Sequence, residues 1–340
     1  MEFNKICVIH LNQIGDLLFS LPLLKALKES APSAVLHSVV RPHLKDLIIH
    51  SPFVDQLLIR EKGGKKSLIL LGQLRKNKYD LLITLSRSEE CFFLTYFSGA
   101  RVKAGFSHFP WDLGLDFKEK MEGPPSVSNN MRLLKRLNID AKKNDYVGLI
   151  HLPSAKDSGG SGRDTFVKIA GKYVVISPGT SARRRMKTWE EEKFGDLILR
   201  LKEKHGLNSV LVGGQDSREV SEKVIEIVRE KDKEKKMNHI HNLAGKTTLR
   251  ELCYLLKEAS LFVGVDSGVM HLASSFDIPV VGIFGPTDPS YVGPQNRRSR
   301  VVKEKMECSP CYLKGCEQRP CMKNLEVQTV LEACEEIINS

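Results

Sequence analysis

Three short segments place chemically useful side chains directly after apolar runs. In the first, Asn12-Gln13-Ile14-Gly15-Asp16 follows KICVIHL and precedes Leu17-Leu18-Phe19. Gly15 permits a tight turn or a close backbone approach, and Asp16 stands where a carboxylate either caps free helix N–H groups or acts as a general base. The second segment, PGTSARRRMKTW from Pro178 to Trp189, sets Thr180 and Ser181 ahead of Arg183, Arg184, Arg185 and Lys187. Hydroxyls and backbone N–H groups that donate to an anion, with cations to neutralise it, make a phosphate cradle; the alternative is a solvated basic turn. The GxxxxGK[ST] spacing of a Walker loop is absent. In the third segment, Asp266, Ser267 and Gly268 join the run LFVGV to a helix start, and His271 falls in its first turn. A strand, a Ser-Gly turn and a helix N-terminus suit a phosphate or diphosphate, with His271 either packed or reaching the ligand. A Gly-x-Ser-x-Gly elbow is missing, which disfavours serine hydrolysis. Gly285-Pro286-Thr287-Asp288-Pro289 adds a turn with polar handles after the next apolar run.

A fourth cluster has different chemistry. Cys308, Cys311, Cys316 and Cys321 follow the spacing CxxC-x4-C-x4-C. Four thiolates so close can hold a tetrahedral zinc, pair as disulfides or stay free, and a zinc with four thiolates would be structural because no position is left open.

The elements that must carry these segments alternate throughout the chain. Strands fit Lys5 to Leu11, Ala34 to Val40, Gln56 to Ile59 and Leu81 to Leu85, with helices over Leu17 to Glu29, Lys66 to Lys76 and Asn130 to Leu137. SAKDSGGSGR, from Ser154 to Arg163, is polar and Gly-rich and reads as a linker. The same grammar then restarts, with strands over Lys172 to Ser177, Ser209 to Val212, Leu261 to Val265 and Pro279 to Phe284. Helices there fit Glu190 to Lys204, Arg218 to Lys231, Leu249 to Lys257 and Val269 to Phe276. This predicts an α/β chain of two Rossmann-like domains facing across a cleft. Ligands of such sheets bind at the carboxyl ends of strands, where the three segments fall.

Composition agrees with a globular chain: 340 residues, 41% apolar, with no stretch of 18 uncharged apolar residues and no signal-peptide pattern at the N-terminus. The cytosol is the expected compartment, since four of the eight cysteines are scattered rather than framed as disulfides. The formal charge is +11, and residues 1–150 hold 22 Lys+Arg against 15 Asp+Glu. A basic first half attracts an anionic membrane surface, a phosphorylated substrate or nucleic acid. Zinc-finger, RRM and helix-turn-helix signatures are absent and aromatics are only 7%, so nucleic acid is not the expected partner.

Six ordered blocks, IGDLLFSLP (14–22), GF (105–106), PGTSARRRMKTW (178–189), NLAGKTTLREL (242–252), VDSGVMHLAS (265–274) and VGIFGPTDP (281–289), resemble glycosyltransferase family 9, the ADP-heptose:lipopolysaccharide heptosyltransferases. The resemblance implies a GT-B fold with an acceptor domain over 1–160 and a nucleotide-sugar domain over 161–325. A final helix, 326–340, would cross back to pack on the first domain. It also implies inverting transfer with no metal required, from a nucleotide-sugar donor to a lipid-linked saccharide, by a cytoplasmic enzyme peripheral to the inner membrane. Asp16 would be the general base, flanked on the acceptor side by Asn12 and Gly15. Thr180, Ser181, Lys187, Asp266, Ser267, Gly268 and His271 would form the donor site. The family usually carries Arg where this chain has His10, and its familiar enterobacterial members lack the cysteine cluster. A sugar-nucleotide epimerase or hydrolase on the same scaffold is the rival enzyme.

Overall fold

The computed structural model describes residues 3–123, 125–142, 144–153, 169–232, 237–312 and 316–340. The chain divides into two compact units, 1–158 and 159–340. The Gly-rich stretch read as a linker lies outside the described residues.

The first unit runs β1 (Lys5–Ile9), α1 (Ile14–Ser30), β2 (Val35–Val40), β3 (Gln56–Ile59), α2 (Gly64–Asn77), β4 (Leu81–Thr84), α3 (Glu89–Phe97), β5 (Val102–Phe106), β6 (Phe117–Glu119) and α4 (Ser126–Arg136). Its six strands are all parallel, in the order β3-β2-β1-β4-β5-β6. Parallel strands are covered on both faces, so the central ones are apolar without alternation: Ile6, Cys7, Val8 and Ile9 of β1 and Leu81, Leu82 and Ile83 of β4 are fully buried.

The second unit repeats the plan with β7 (Tyr173–Ser177), α5 (Glu191–His205), β8 (Asn208–Leu211), α6 (Arg218–Lys231), β9 (Ile240–Asn242), α7 (Leu249–Lys257), β10 (Leu261–Val265), α8 (Gly268–Ser275), β11 (Val280–Phe284), α9 (Pro289–Val292), β12 (Ser299–Lys303), α10 (Pro320–Lys323) and α11 (Val327–Ile338). Its parallel order is β12-β11-β10-β7-β8-β9, which is the first sheet's order repeated strand for strand. Both are doubly wound sheets whose winding reverses between the first and fourth strands, β1 with β4 and β7 with β10. Local chemistry fixes the helix ends. α5 starts on Glu191 and Glu192, ends on Lys202, Lys204 and His205, and stops at Gly206 with φ +65°. Thr248 and Glu251 close a capping box on α7, which gives part of the NLAGKTTLREL block a structural task.

Four strands and three helices escaped the sequence pattern, two of the helices, α9 and α10, being single turns of four residues. β5, β6, β9 and β12 lie toward or at the sheet edges and are interrupted by Lys103, Lys118, His241 and Arg300, and β6 and β9 are only three residues long. In α3, EECFFLTYF, apolar residues occupy inner and outer faces alike and erase the helical period. The final helix departs from expectation in its packing. α11 puts Val327, Val330, Leu331, Ala333, Cys334 and Ile337 into the core of the second unit, against α5, β11 and β12, so the apolar face assigned to the first domain is taken up in the second.

Candidate active site

In each unit the chemistry gathers where the winding reverses, at the carboxyl ends of the strands. In the first unit, β1 leads through His10 to α1, whose first turn holds buried Gly15 and half-buried Asp16. A carboxylate in a helix's first turn is favoured by the free N–H groups there. His10 is fully buried: Nδ1 pairs with Ser20 Oγ at 2.8 Å and Nε2 with Ser38 Oγ at 3.3 Å. Burial, reinforced by Arg60, pushes its pKa down to about 3, so the imidazole is neutral and serves the core rather than an acceptor phosphate.

Asn12 is exposed, yet it is the point by which the loop is held. Its Oδ1 accepts from Arg41 Nε at 3.2 Å and from Arg60 Nη2, and its carbonyl meets His43 Nε2 at 3.0 Å. Arg60 is buried and also donates to the His10 carbonyl at 3.2 Å. Glu90 binds both guanidiniums, Arg41 at 3.0 Å and Arg60 at 2.9 Å, and takes a further bond from Ser67 Oγ at 2.8 Å. Two guanidiniums against one carboxylate leave this edge positive. Sequence reasoning missed Arg41, Arg60, His43 and Glu90. The available signal was positional, since Arg41 and Arg60 directly follow β2 and β3, as His10 follows β1.

In the second unit, three loops converge. After β7 the chain makes a short 3-10 turn, Ala182–Lys187, that kinks at Arg184. Thr180 is half-buried and Ser181 exposed. The expected row of cations separates: Arg184 and Arg185 are exposed, the Arg183 side chain lies outside the described residues, and Lys187 is buried. After β10 comes Asp266, then Ser267 as N-cap of α8, accepting from the Met270 N–H at 3.4 Å, then Gly268. After β11 comes Thr287. Lys187 forms an ion pair with Asp266 Oδ2, and the Thr287 hydroxyl donates to that same oxygen at 2.7 Å. Burial lowers the Lys187 pKa, Arg184 pushes the same way, and Asp266 opposes both. His271 is buried beside this pair. Burial brings its pKa down to about 4, with Lys187 adding to the effect and Asp266 working against it, so it is neutral at physiological pH.

Lys187, Asp266, Ser267, Gly268 and His271 are thus brought to one sheet edge, with Thr287 as an additional member. The arrangement offers a buried cation, a helix N-terminus and hydroxyls, which together suit a diphosphate.

The cysteine segment abuts this edge. The Cys311 and Tyr312 N–H groups donate to the Pro286 carbonyl at 3.1 and 2.9 Å, and Ser309 Oγ bonds the Gly285 carbonyl. Gly285 has no room for a side chain, because a Cβ there would lie 2.3 Å from Met322 Sδ and 3.0 Å from Cys321 Sγ. The Cys321 thiol is pushed up chiefly by burial, with the sulfurs of Cys311, Cys308 and Cys316 adding to the effect. Among the described residues, no group of three or more His, Cys, Asp or Glu side chains stands in a metal-ligating arrangement.

The model of glycosyltransferase family 9 (heptosyltransferase) matches residues 68–322. Lipopolysaccharide heptosyltransferase 3 of Escherichia coli K12 is 30% identical over 288 residues, covering 81% of this chain and 80% of that protein. Among solved structures, E. coli ADP-heptose lps heptosyltransferase II superposes with a TM-score of 0.80 at 21% identity, covering 98% of both chains. E. coli heptosyltransferase WaaC with ADP gives 0.76 at 20% identity, covering 98% of this chain and 99% of that one. The chain is a glycosyltransferase and belongs to family 9, the heptosyltransferases.

Proposed function

We propose that the chain transfers a heptose, with inversion at the anomeric carbon, from an ADP-sugar to a lipid-linked saccharide resembling lipopolysaccharide core. The observation that carries this reading is the Lys187–Asp266–Thr287 cluster, which holds the only buried Lys or Arg among the described residues of the second unit. The diphosphate is the leaving group. As the bond from its oxygen to the anomeric carbon breaks, the developing charge is met by Lys187 and by the N–H groups opening α8. Asp266 holds Lys187 in place, and neutral His271 adds a hydrogen bond rather than a charge.

On the acceptor side, Asp16 takes the hydroxyl proton as that oxygen attacks. Arg41 and Arg60, through Asn12, fix the loop that presents Asp16, and the surplus positive charge there favours an anionic acceptor. Catalysis uses no metal. The four cysteines do not stand in a metal-ligating arrangement, so the zinc that their spacing suggests is left to elemental analysis. With a lipid-linked acceptor, the enzyme works as a cytoplasmic protein peripheral to the membrane.

The test is single-turnover transfer by Asp16→Asn at saturating donor and acceptor. Transfer falls by about 100-fold to 10,000-fold while melting temperature and ADP binding persist. A folded variant that transfers at the wild-type rate refutes the base. In that case Asp16 is a helix-start residue whose replacement by Ala costs only about 1 kcal/mol of stability.

A further inference from the structure

The outer face of α3 is unusual for a helix in water. Its inner residues Cys91, Phe92, Leu94 and Thr95 are buried in the first unit. Its outer residues are aromatic as well: Phe93, Tyr96 and Phe97 are exposed, and their rings touch, with centroids 5.0 Å apart for Phe93 and Phe97 and 5.3 Å for Tyr96 and Phe97. A surface helix ordinarily turns polar groups to solvent.

The same surface continues into the segment between β5 and β6. Tyr96 lies over Gly114, where a Cβ would come within 2.1 Å of its ring, and Phe92 stacks on His108. This segment presents Phe109, Trp111 and Leu113 at 80%, 45% and 70% exposure. Contiguous apolar surface of this kind marks an interaction site.

Charge indicates the partner. α2 packs beside α3, and its start carries exposed Lys62, Lys65 and Lys66, the last pairing with Glu61; Lys118 and Lys120 lie exposed on and just after β6. Residues 61–122 hold 11 Lys+Arg against 8 Asp+Glu, and two of those acids are withdrawn, Asp112 by burial and Glu90 by its two arginines. Exposed Trp, Phe and Leu on a unit with a surplus of lysine is the composition that seats in the interface of an anionic bilayer. We propose that α3 and the 109–113 segment insert into the headgroup region of an anionic membrane, with the lysines on its phosphates, so that the first unit meets its acceptor at the lipid surface. The proposal deepens the peripheral, lipid-linked reading given above and rests on it.

The experiment uses the full chain with vesicles of phosphatidylglycerol and phosphatidylethanolamine, and phosphatidylcholine vesicles as the neutral control. Trp111 is a built-in reporter, because the other tryptophan, Trp189, is fully buried. The expected results are flotation with anionic vesicles only, a blue shift of emission that Trp111→Phe abolishes, and quenching by brominated lipid. The triple variant Phe109→Ser, Trp111→Ser, Leu113→Ser, whose fold is checked by its melt and by ADP binding in the other unit, should lose binding about tenfold or more. It should transfer normally to a delipidated acceptor and poorly to one embedded in vesicles. Equal flotation of wild type and triple variant overturns the proposal, as does absence of wild-type binding. A wild-type dimer made monomeric by the triple variant and not competed by vesicles also overturns it, since the face would then belong to a second copy. Failure of transfer to both acceptors in the wild type refutes the heptosyl-transfer reading instead, and leaves the vesicle result standing on its own.

Discussion

Removing Lys187 should expose how much the candidate donor site owes to one ion pair. Lys187 and Asp266 are each only 6% exposed, and the lysine and the Thr287 hydroxyl share a single carboxylate oxygen. In Lys187→Met the apolar stem is kept but Asp266 is left as a buried charge with one neutral donor at 2.7 Å. Breaking a buried pair in this way typically costs about 3–5 kcal/mol. Trp111→Phe makes Trp189, at the heart of the second unit, the sole fluorescent probe, so urea unfolding followed by its emission reads the stability of that unit. Lys187→Met with Asp266→Asn removes both charges, and should recover about 2 kcal/mol or more relative to the single variant. Loss below about 1 kcal/mol in Lys187→Met would mark the lysine as solvent-screened. A double variant no more stable than the single would show that the two residues are not coupled, and either result refutes the reasoning.

Three further outcomes are expected. His10 and His271 stay neutral in the folded chain down to about pH 3 and about pH 4, while in the unfolded chain they protonate near 6.5. The unfolded state therefore binds more protons below that pH, and stability should fall by about 1.4 kcal/mol per pH unit per histidine between about pH 6 and 4. Denaturation at stepped pH should show this slope shallower by one histidine's share in His10→Asn. A panel of nucleotides tested by thermal shift should favour ADP and ADP-sugars, a ligand at 100 times its dissociation constant adding about 2.7 kcal/mol. A shift given only by another nucleotide removes the donor assignment. Elemental analysis of protein prepared under reducing conditions decides the zinc that the cysteine spacing suggests: about one zinc per chain, lost in Cys308→Ser with Cys311→Ser, would show a thiolate site assembled on the metal, and metal-free wild type excludes it.

The sequence shows the fold where periodicity is strong and the candidate donor site where residues follow central strands. Arg218–Lys231 and Leu249–Lys257 can be read from their spacing alone, and Asp266 is visible because it ends an uninterrupted apolar run. What stays hidden depends on tertiary partners. Nothing in RRRMK distinguishes the one cation that goes inward, because burial of Lys187 is decided by Asp266, 79 residues away. Arg60 likewise reads as a surface residue until Glu90 and Asn12 arrive from other loops. The packing of α11 is hidden for the same reason, since an amphipathic helix states that it has an apolar face without stating which sheet receives it.

That packing has a consequence for synthesis. β11 and α5 help to form a core that is completed only when α11 joins it, and α11 begins at Val327, well after β11 ends at Phe284. At typical elongation rates the apolar flank of the nascent second unit stays bare for on the order of 2–9 s after β11 is made, while the first unit already has every strand it needs. The second unit is thus the one whose apolar flank stays bare longest during translation, and ribosome stalling between those two elements would yield a chain with a finished first unit and an aggregation-prone second one.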